Sequence, residues 1–170
     1  MAADRGGRLQ VRVITPERVA FEGEADSLVA TAYDGEFGVL PGHRPLLAAL
    51  KTGIMSYHKD GQEVRLAVGP GFVEINQDRA VLLTDGIARK SDIDPVRVRL
   101  DLKEADEALE RYDGPPGATE HVELIRKELW AAARLTLYGD PPPPTVHTVH
   151  ESLAGGDPVL EPDENAIESD

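Results

Sequence analysis

The chain has 170 residues, of which 41% are hydrophobic and 29% charged, a composition typical of a soluble protein with one or two folded domains. Its 31 acidic residues outnumber its 18 basic ones, and the resulting net charge of -13 would repel a nucleic-acid backbone, so no nucleic-acid partner is expected. Because the chain has no cysteine, it can form neither a disulfide nor a thiolate metal site.

Short apolar runs dominate residues 8–90, which follow an N-terminal segment, 1–7, that we expect to be flexible. In most runs apolar and polar residues alternate, and turn signals separate the runs, as is typical of β-strands. The segments Lys59-Asp60-Gly61 and Asn76-Gln77-Asp78 contain residues that tolerate a left-handed backbone, so each predicts a tight hairpin. The runs indicate roughly eight strands or more without intervening helices, which predicts an all-β sandwich or flattened barrel over 8–90.

After residue 90 the apolar spacing lengthens to three or four residues, which predicts a helical domain over 91–138. Asp94 followed by Pro95 is a favoured helix start, because the carboxylate accepts N–H groups and proline suits the first helical position. The Asp-Gly-Pro-Pro-Gly sequence at 113–117 ends this helix, and a second helix is expected from about Thr119 to a stop at Gly139. The prediction is an antiparallel hairpin in which an apolar stripe on the first helix packs against one on the second. The stripes are Val98, Leu102, Ala105 and Leu109, and Val122, Ile125, Leu129 and Ala132.

Residues 139–170 differ in composition from the rest of the chain. They contain eight acidic residues, four consecutive prolines from Pro141 to Pro144, and neither a basic nor an aromatic residue. Such a segment cannot bury enough apolar surface to offset the entropy of ordering it, so a disordered, proline-rich acidic tail is expected. Both a solubilising role and a partner-binding role stay open for it.

Glycine and carboxylate motifs do not predict a nucleotide loop or a metal site. The glycines of 35–38 and 69–71 lack the third glycine of a dinucleotide loop and the Lys-Ser/Thr of a phosphate loop, and are interpreted as turn residues. Asp92 and Asp94 stand where a helix cap is needed, and no further ligand lies at a suitable spacing.

The histidines do not predict a catalytic or metal site either. His147 and His150 lack the two further ligands of a zinc site. His43 lies in the Pro- and Gly-rich loop 40–45, with neither a nucleophilic serine motif nor an orienting acid nearby. We therefore expect a non-catalytic protein without a metal or another cofactor.

Three segments, in this order, resemble the epsilon subunit of the bacterial F-type ATP synthase. The first, 35–45, combines Gly-Glu-Phe-Gly with Pro-Gly-His-Arg-Pro; the second, 69–75, reads Gly-Pro-Gly-Phe-Val-Glu-Ile; the third, 81–85, reads Val-Leu-Leu-Thr-Asp. The resemblance covers roughly 8–138, and the order of the domains agrees with it.

The resemblance implies a non-catalytic rotor subunit of the central stalk that takes part in ATP synthesis and proton transport. Such a subunit binds gamma and the polar loops of the c-ring, so a peripheral position at the cytoplasmic face of the cell membrane is implied. No stretch approaches the roughly 18 apolar residues of a membrane span, so no direct insertion is expected. By the same resemblance, Glu36 would face the c-ring, and Pro41, Gly42 and His43 would face gamma or the c-ring.

The resemblance also implies a regulatory hairpin. In the family, the hairpin can swing from a compact form to an extended form that blocks ATP hydrolysis, and basic residues of its second helix then meet the beta subunit. The corresponding residues here are Arg126, Lys127 and Arg134. Some members also bind ATP through a pattern similar to 93–98, which implies weak ATP binding by Asp94 and Arg97, although Val98 replaces the family's alanine.

Two other classes stay open at this point. A free-standing β-sandwich module that binds a ligand would need an exposed cluster of aromatic residues, and the scattered aromatic residues of this sequence do not predict one. A small hydrolase would need an acid, a base and a pocket, which the strand pattern does not indicate.

Overall fold

The computed structural model of the protein describes residues 7–143 and 145. Within this part, ten strands precede two helices, which confirms the predicted β-sandwich followed by a helical hairpin. The strands are β1 (Leu9–Ile14), β2 (Val19–Ala25), β3 (Ser27–Ala32), β4 (Gly35–Val39), β5 (Leu46–Leu50), β6 (Gly53–Lys59), β7 (Gln62–Val68), β8 (Gly71–Asn76), β9 (Arg79–Thr84) and β10 (Ile87–Arg89). A 3₁₀ turn (Lys90–Asp92) then leads into α1 (Pro95–Arg111) and α2 (Thr119–Tyr138). The expected flexible segment 1–7 and the expected tail 139–170 lie mostly outside the described residues, so both stay predictions.

The strands form one sheet that folds over itself. Their order is β10-β7-β6-β3-β5-β8-β9-β1-β2, and β4 pairs with β3 outside this order. Ala32 opposite Leu50 is the sole pair joining β3 to β5, so the sheet can turn there. On the other side, the rings of Phe21 in β2 and Tyr57 in β6 approach to 5.0 Å between centroids. Apolar side chains from both halves fill the space between them: Leu9, Val11, Val13, Leu28, Leu50, Met55, Leu66, Val73, Ile75 and Leu82.

Both predicted hairpin turns are confirmed. Asp60 and Gly61, with φ of 52° and 77°, join the paired ends of β6 and β7. Gln77 and Asp78, with φ of 49° and 61°, do the same for β8 and β9. Positive φ at both central positions gives a turn whose twist matches that of the strands it connects.

Gly71 is needed for a different reason than the turn role expected from the sequence. The 69–71 segment does connect β7 to β8, but Gly71 has no left-handed φ. A Cβ at this position would lie 1.8 Å from the carbonyl oxygen of Leu83 on the neighbouring strand β9. Only glycine lets the two strands approach this closely.

The ends of the hairpin follow the predicted capping chemistry. The Oδ1 atom of Asp94 accepts the N–H groups of Val96 and Arg97 at 3.0 and 3.3 Å, and Pro95 occupies the first helical position. Gly139 ends α2 with φ of 106°, a left-handed conformation that glycine adopts without strain.

The buried side of α2 is broader than the predicted stripe. It contains Glu128, Leu129, Ala131, Ala132, Ala133, Leu135 and Leu137. The helix contacts α1 as well as β6 and β7, so it buries residues toward both neighbours. The predicted stripe is wrong at Val122, whose side chain is 39% exposed. On α1, Val98 and Ala105 are buried and Leu102 and Leu109 half-buried, as the pattern predicted.

Neither α1 nor α2, the two α-helices of the described part, is long and apolar enough to cross a membrane.

Candidate functional site

Strand β4 carries Glu36 close to one end and the loop 40–45 beyond the other. We call this loop the Pro-Gly-His loop. Glu36 is exposed and lies opposite Thr31 of β3, the strand with which β4 pairs. With a rise of about 3.3 Å per residue, Glu36 lies about 10 Å from Val39, where the strand ends. Glu36 and the loop are therefore neighbouring but separate features along one edge of the sheet.

The Pro-Gly-His loop is fixed by hydrogen bonds. Gly42 has a left-handed φ of 80°, and its N–H donates to Oδ1 of Asp78 at 2.5 Å. The N–H of His43 donates to the carbonyl of Leu40 at 3.0 Å. The Nδ1 atom of His43 lies 2.7 Å from the carbonyl of Arg44, which can only accept, so Nδ1 carries the proton. These contacts tie the loop to the β8–β9 turn and define its shape before any partner binds.

A row of apolar side chains crosses the outer side of the sheet, toward the end of β5, β8 and β9 that lies away from this loop. Ala49, Phe72, Leu83 and Ile14 lie side by side on β5, β8, β9 and β1. Phe72 and Leu83 are 57% and 50% exposed, and Leu47, two residues before Ala49 on β5, is 73% exposed. We call these five residues the apolar face. Contiguous exposed apolar surface of this kind indicates an interaction site.

The apolar face reaches toward the hairpin. Tyr33, Phe72, Pro70, Asp85 and Arg126 line one shallow depression at its border. Two exposed aromatic side chains are therefore grouped here, so the expectation that the aromatic residues are scattered is wrong at this point.

The sequence did contain a signal for the apolar face. Strands β5 and β9 are apolar at successive residues, a pattern typical of strands that are covered on both faces.

The three basic residues of α2 have different surroundings. Arg126 Nη1 lies 3.6 Å from Oδ2 of Asp85 on the sandwich. Arg134 donates to Oδ2 of Asp101 on α1 at 3.3 Å, and its guanidinium lies 5.4 Å from the ring centroid of Trp130. Lys127 makes no ion pair with any described residue, so it is the candidate whose charge is most available to a partner.

The residues implied in ATP binding have local partners. The Asp94 carboxylate caps α1, as described above, and Arg97 Nε lies 3.0 Å from Oδ1 of Asp101. Both residues lie at the start of α1, and the motif therefore forms the N-terminal end of this helix. Nucleotide binding by Asp94 and Arg97 stays a prediction.

Three carboxylates around Arg8 hold neighbouring segments of the sandwich together. Arg8 joins Glu24, Asp26 and Asp60, which ties the start of β1 to the β6–β7 turn. The hydrogen bond from Arg8 to Asp60, together with the nearby negative charges, raises the pKa of the guanidinium. Among residues 7–143 and 145, no group of three or more His, Asp or Glu side chains is arranged to hold a metal ion. His147 and His150 lie outside these residues.

Sequence comparison identifies similar proteins. Residues 8–90 match the family model described as the beta-sandwich domain of the ATP synthase delta/epsilon chain. An ATP synthase epsilon chain from Trichodesmium erythraeum is 33% identical over 131 residues, which make up 77% of this chain and 96% of that protein. An ATP synthase epsilon chain from Geotalea uraniireducens is 38% identical over 104 residues, covering 61% of this chain and 75% of that protein.

Two solved structures contain chains of similar fold. One comes from the mitochondrial ATP synthase of Euglena gracilis and has a TM-score of 0.60 at 15% identity, covering 82% of each chain. The other comes from the central stalk and c-ring of the Tetrahymena thermophila mitochondrial enzyme and has a TM-score of 0.56 at 14% identity. It covers 77% of this chain and 97% of that one. At these identities the likeness concerns the fold alone.

Proposed function

Because this chain belongs to the family of ATP synthase epsilon chains, we propose that it is a non-catalytic rotor subunit in the central stalk of an F-type ATP synthase. The similarity to the Trichodesmium erythraeum protein carries this proposal, since 131 aligned residues must include most of the sandwich and most of the hairpin. In this role the chain transmits rotation between gamma and the c-ring and attaches to the membrane peripherally, through the assembled complex.

The apolar face is the proposed contact with gamma. Phe72 and Leu83 lie side by side in its central row, and Leu47 is the most exposed of its side chains. Subunits that stay together permanently bury large apolar surfaces, and aromatic residues near the centre of an interface carry much of the binding energy. In the isolated subunit the side chains of the apolar face are at least partly exposed to water, and binding of gamma would cover them.

Glu36 is the proposed contact with the polar loops of the c-ring, and the Pro-Gly-His loop is a proposed contact with gamma or the c-ring. The loop ends at Pro45, and β5 of the apolar face begins at the next residue, so the two surfaces border each other. His43 is held by hydrogen bonds with the backbone of Leu40 and Arg44, and a preformed loop loses little conformational entropy on binding. A stiff contact is suited to transmitting torque.

The hairpin is the proposed regulatory element. The described conformation is compact, with α2 docked on α1 and on β6 and β7. Extension would release α2 and direct Lys127, with Arg126 and Arg134, toward an acidic segment of the beta subunit. ATP binding has weaker support, because Oδ1 of Asp94 and Nε of Arg97 already have partners within α1.

Co-purification tests the proposed function directly. The tagged full-length chain, expressed in its own host, is expected to retain gamma and the c-ring in stoichiometric amounts. The isolated chain is expected to show no ATPase, esterase or phosphatase turnover. A monomer that retains neither gamma nor the c-ring would contradict the proposal and favour the free-standing ligand-binding module instead.

A further inference from the structure

Helix α2 carries a carboxylate inside the protein. Glu128 is 1% exposed, and its Oε2 atom has no hydrogen-bond partner among the residues that the structure describes. Arg12 Nε is also buried without a partner, but that guanidinium at least lies 3.7 Å from the carboxylate of Glu22. Buried carboxylates are usually paired or hydrogen-bonded, because removing them from water is costly. The position of Glu128 therefore needs a physical explanation.

No ion pair between described residues involves Glu128, and the basic residues of its own helix lie too far round the helix axis to provide one. At 100° per residue, Ala131, Ala132 and Leu135 lie within about 60° of Glu128, so the part of this face that follows Glu128 along α2 is apolar. Lys127 and Arg134 lie about 100° and 120° away around the same helix. Arg134 is also engaged by Asp101 of α1. The basic residues of α2 therefore border a different side of the helix from the one that buries Glu128.

An ion pair at one end of the hairpin and a ring stack at the other hold the helices together despite this carboxylate. At the open end, Arg99 of α1 donates to Oδ2 of Asp140 from Nε and Nη2, at 2.8 and 2.6 Å. At the closed end, the rings of Tyr112 and His121 stack with 5.0 Å between centroids. The docked hairpin thus combines favourable contacts at its ends with an unpaired carboxylate oxygen between them.

We propose that Glu128 lowers the stability of the docked hairpin and so sets how readily α2 separates from α1 and the sandwich. In the docked state its carboxylate has lost water without gaining a full set of partners. In a separated helix the same group is hydrated, so the difference in free energy favours separation. An apolar residue of similar size would shift the balance toward the docked state by about five-fold or more. The regulatory meaning of this balance rests on the proposed function, whereas the balance itself is a property of the isolated chain.

Hydrogen exchange of the purified full-length chain measures the balance directly. The test variant is Glu128→Met, which is unbranched and of similar volume, and Glu128→Gln is a nearly isosteric second variant. Glu123→Gln, at an exposed position of the same helix, is the control for the loss of one negative charge. In Glu128→Met, the α2 amides are expected to exchange about five-fold more slowly or better, with a smaller slowing in Glu128→Gln. Amides of β8 and β9 and the whole Glu123→Gln variant are expected to exchange as in the parent protein.

Three outcomes would overturn the inference. Faster exchange of α2 in both Glu128 variants would mean that the carboxylate stabilises the docked state. Unchanged exchange would mean that docking is indifferent to it. Equal slowing in Glu123→Gln would assign the effect to net charge rather than to burial.

A second measurement separates this inference from the proposed function. In reconstituted ATP synthase, a hairpin held docked by Glu128→Met is expected to inhibit ATP hydrolysis less than the parent hairpin. Slower exchange without any change in hydrolysis would leave the role of Glu128 in docking intact and contradict the regulatory role of the hairpin.

Discussion

Arg134 of α2 is held by Asp101 of α1, with Nη2 of the guanidinium 3.3 Å from Oδ2 of the carboxylate. The Arg134 side chain is only 21% exposed, and its guanidinium also lies over the ring of Trp130. A residue proposed to bind an acidic partner thus already has an acidic partner within the docked hairpin. An external carboxylate must replace Asp101, so extension exchanges one ion pair for another rather than creating a new one.

Removing the hairpin is expected to accelerate ATP hydrolysis by the assembled complex. Complexes whose chain lacks residues 92–170 should hydrolyse ATP faster than complete ones, because the inhibitory form can no longer be reached. Lys127→Glu combined with Arg134→Glu should reproduce part of the gain, roughly two-fold for each exposed ion pair of about 0.5 kcal/mol. Lys103→Glu on α1 is the matched control. Equal rates in steady-state assays of all these preparations would exclude a regulatory hairpin.

Phe72→Ser is expected to weaken binding to gamma about ten-fold, since truncating a central aromatic residue of an interface commonly costs more than 1 kcal/mol. The variant should fold normally, because more than half of the side chain is already exposed. Titration calorimetry with purified gamma measures the effect. Val96→Ser, at an exposed position on α1, should leave the affinity unchanged. Identical affinities for the two variants would place the gamma contact elsewhere.

Gly42→Val is expected to weaken assembly with gamma and the c-ring while the sandwich stays folded. A β-branched residue resists the left-handed φ of 80°, at a cost of about 1–3 kcal/mol, so the Pro-Gly-His loop must change shape. Gly42→Asn is the control, because asparagine tolerates this conformation. Pull-down with each partner, together with near-UV circular dichroism, provides the readout. Full binding by a valine variant with a displaced loop would show that the loop's shape is irrelevant to assembly.

Gly71→Ala is expected to destabilise the sandwich by more than about 3 kcal/mol, because the new methyl group would overlap the carbonyl of Leu83. Urea denaturation followed by circular dichroism measures the loss. Gly38→Ala is the control, since a Cβ there would meet nothing within 4 Å. Similar midpoints for both variants would contradict the close approach of β8 and β9.

Truncation of the tail is expected to depend on where the chain is cut. A chain ending at Pro143 keeps the contact between Arg99 and Asp140, so its melting temperature should match that of the full chain. A chain ending at Gly139 loses this exposed ion pair, worth about 1 kcal/mol or less, so its midpoint should fall by no more than about 4 °C. Differential scanning calorimetry distinguishes the two. A larger fall for the chain ending at Pro143 would mean that the acidic tail contributes to the folded core.

The sequence predicted the helix ends and hairpin turns correctly because these features depend on interactions between adjacent residues. The caps at Asp94 and Gly139 and the turn at Asp60 each depend on a few adjacent residues. The apolar face was missed because it depends on register: Ile14 and Leu83 meet only once β1 has paired with β9. The partner of Arg134 and the burial of Glu128 were also out of reach, since they depend on how α2 is rotated against α1 and the sheet. Val122 was misplaced for the same reason.

The parallel pairing of β1 with β9 also determines when the sandwich can be completed during synthesis. β1 emerges from the ribosome early and can pair with β2 at once, but its other edge has no neighbour until residues 79–84 follow. Contacts between such distant segments make folding slow, whereas a hairpin of two helices forms from nearby contacts. A nascent chain stalled before β9 would therefore expose the unpaired edge of β1, and such an edge is prone to aggregation.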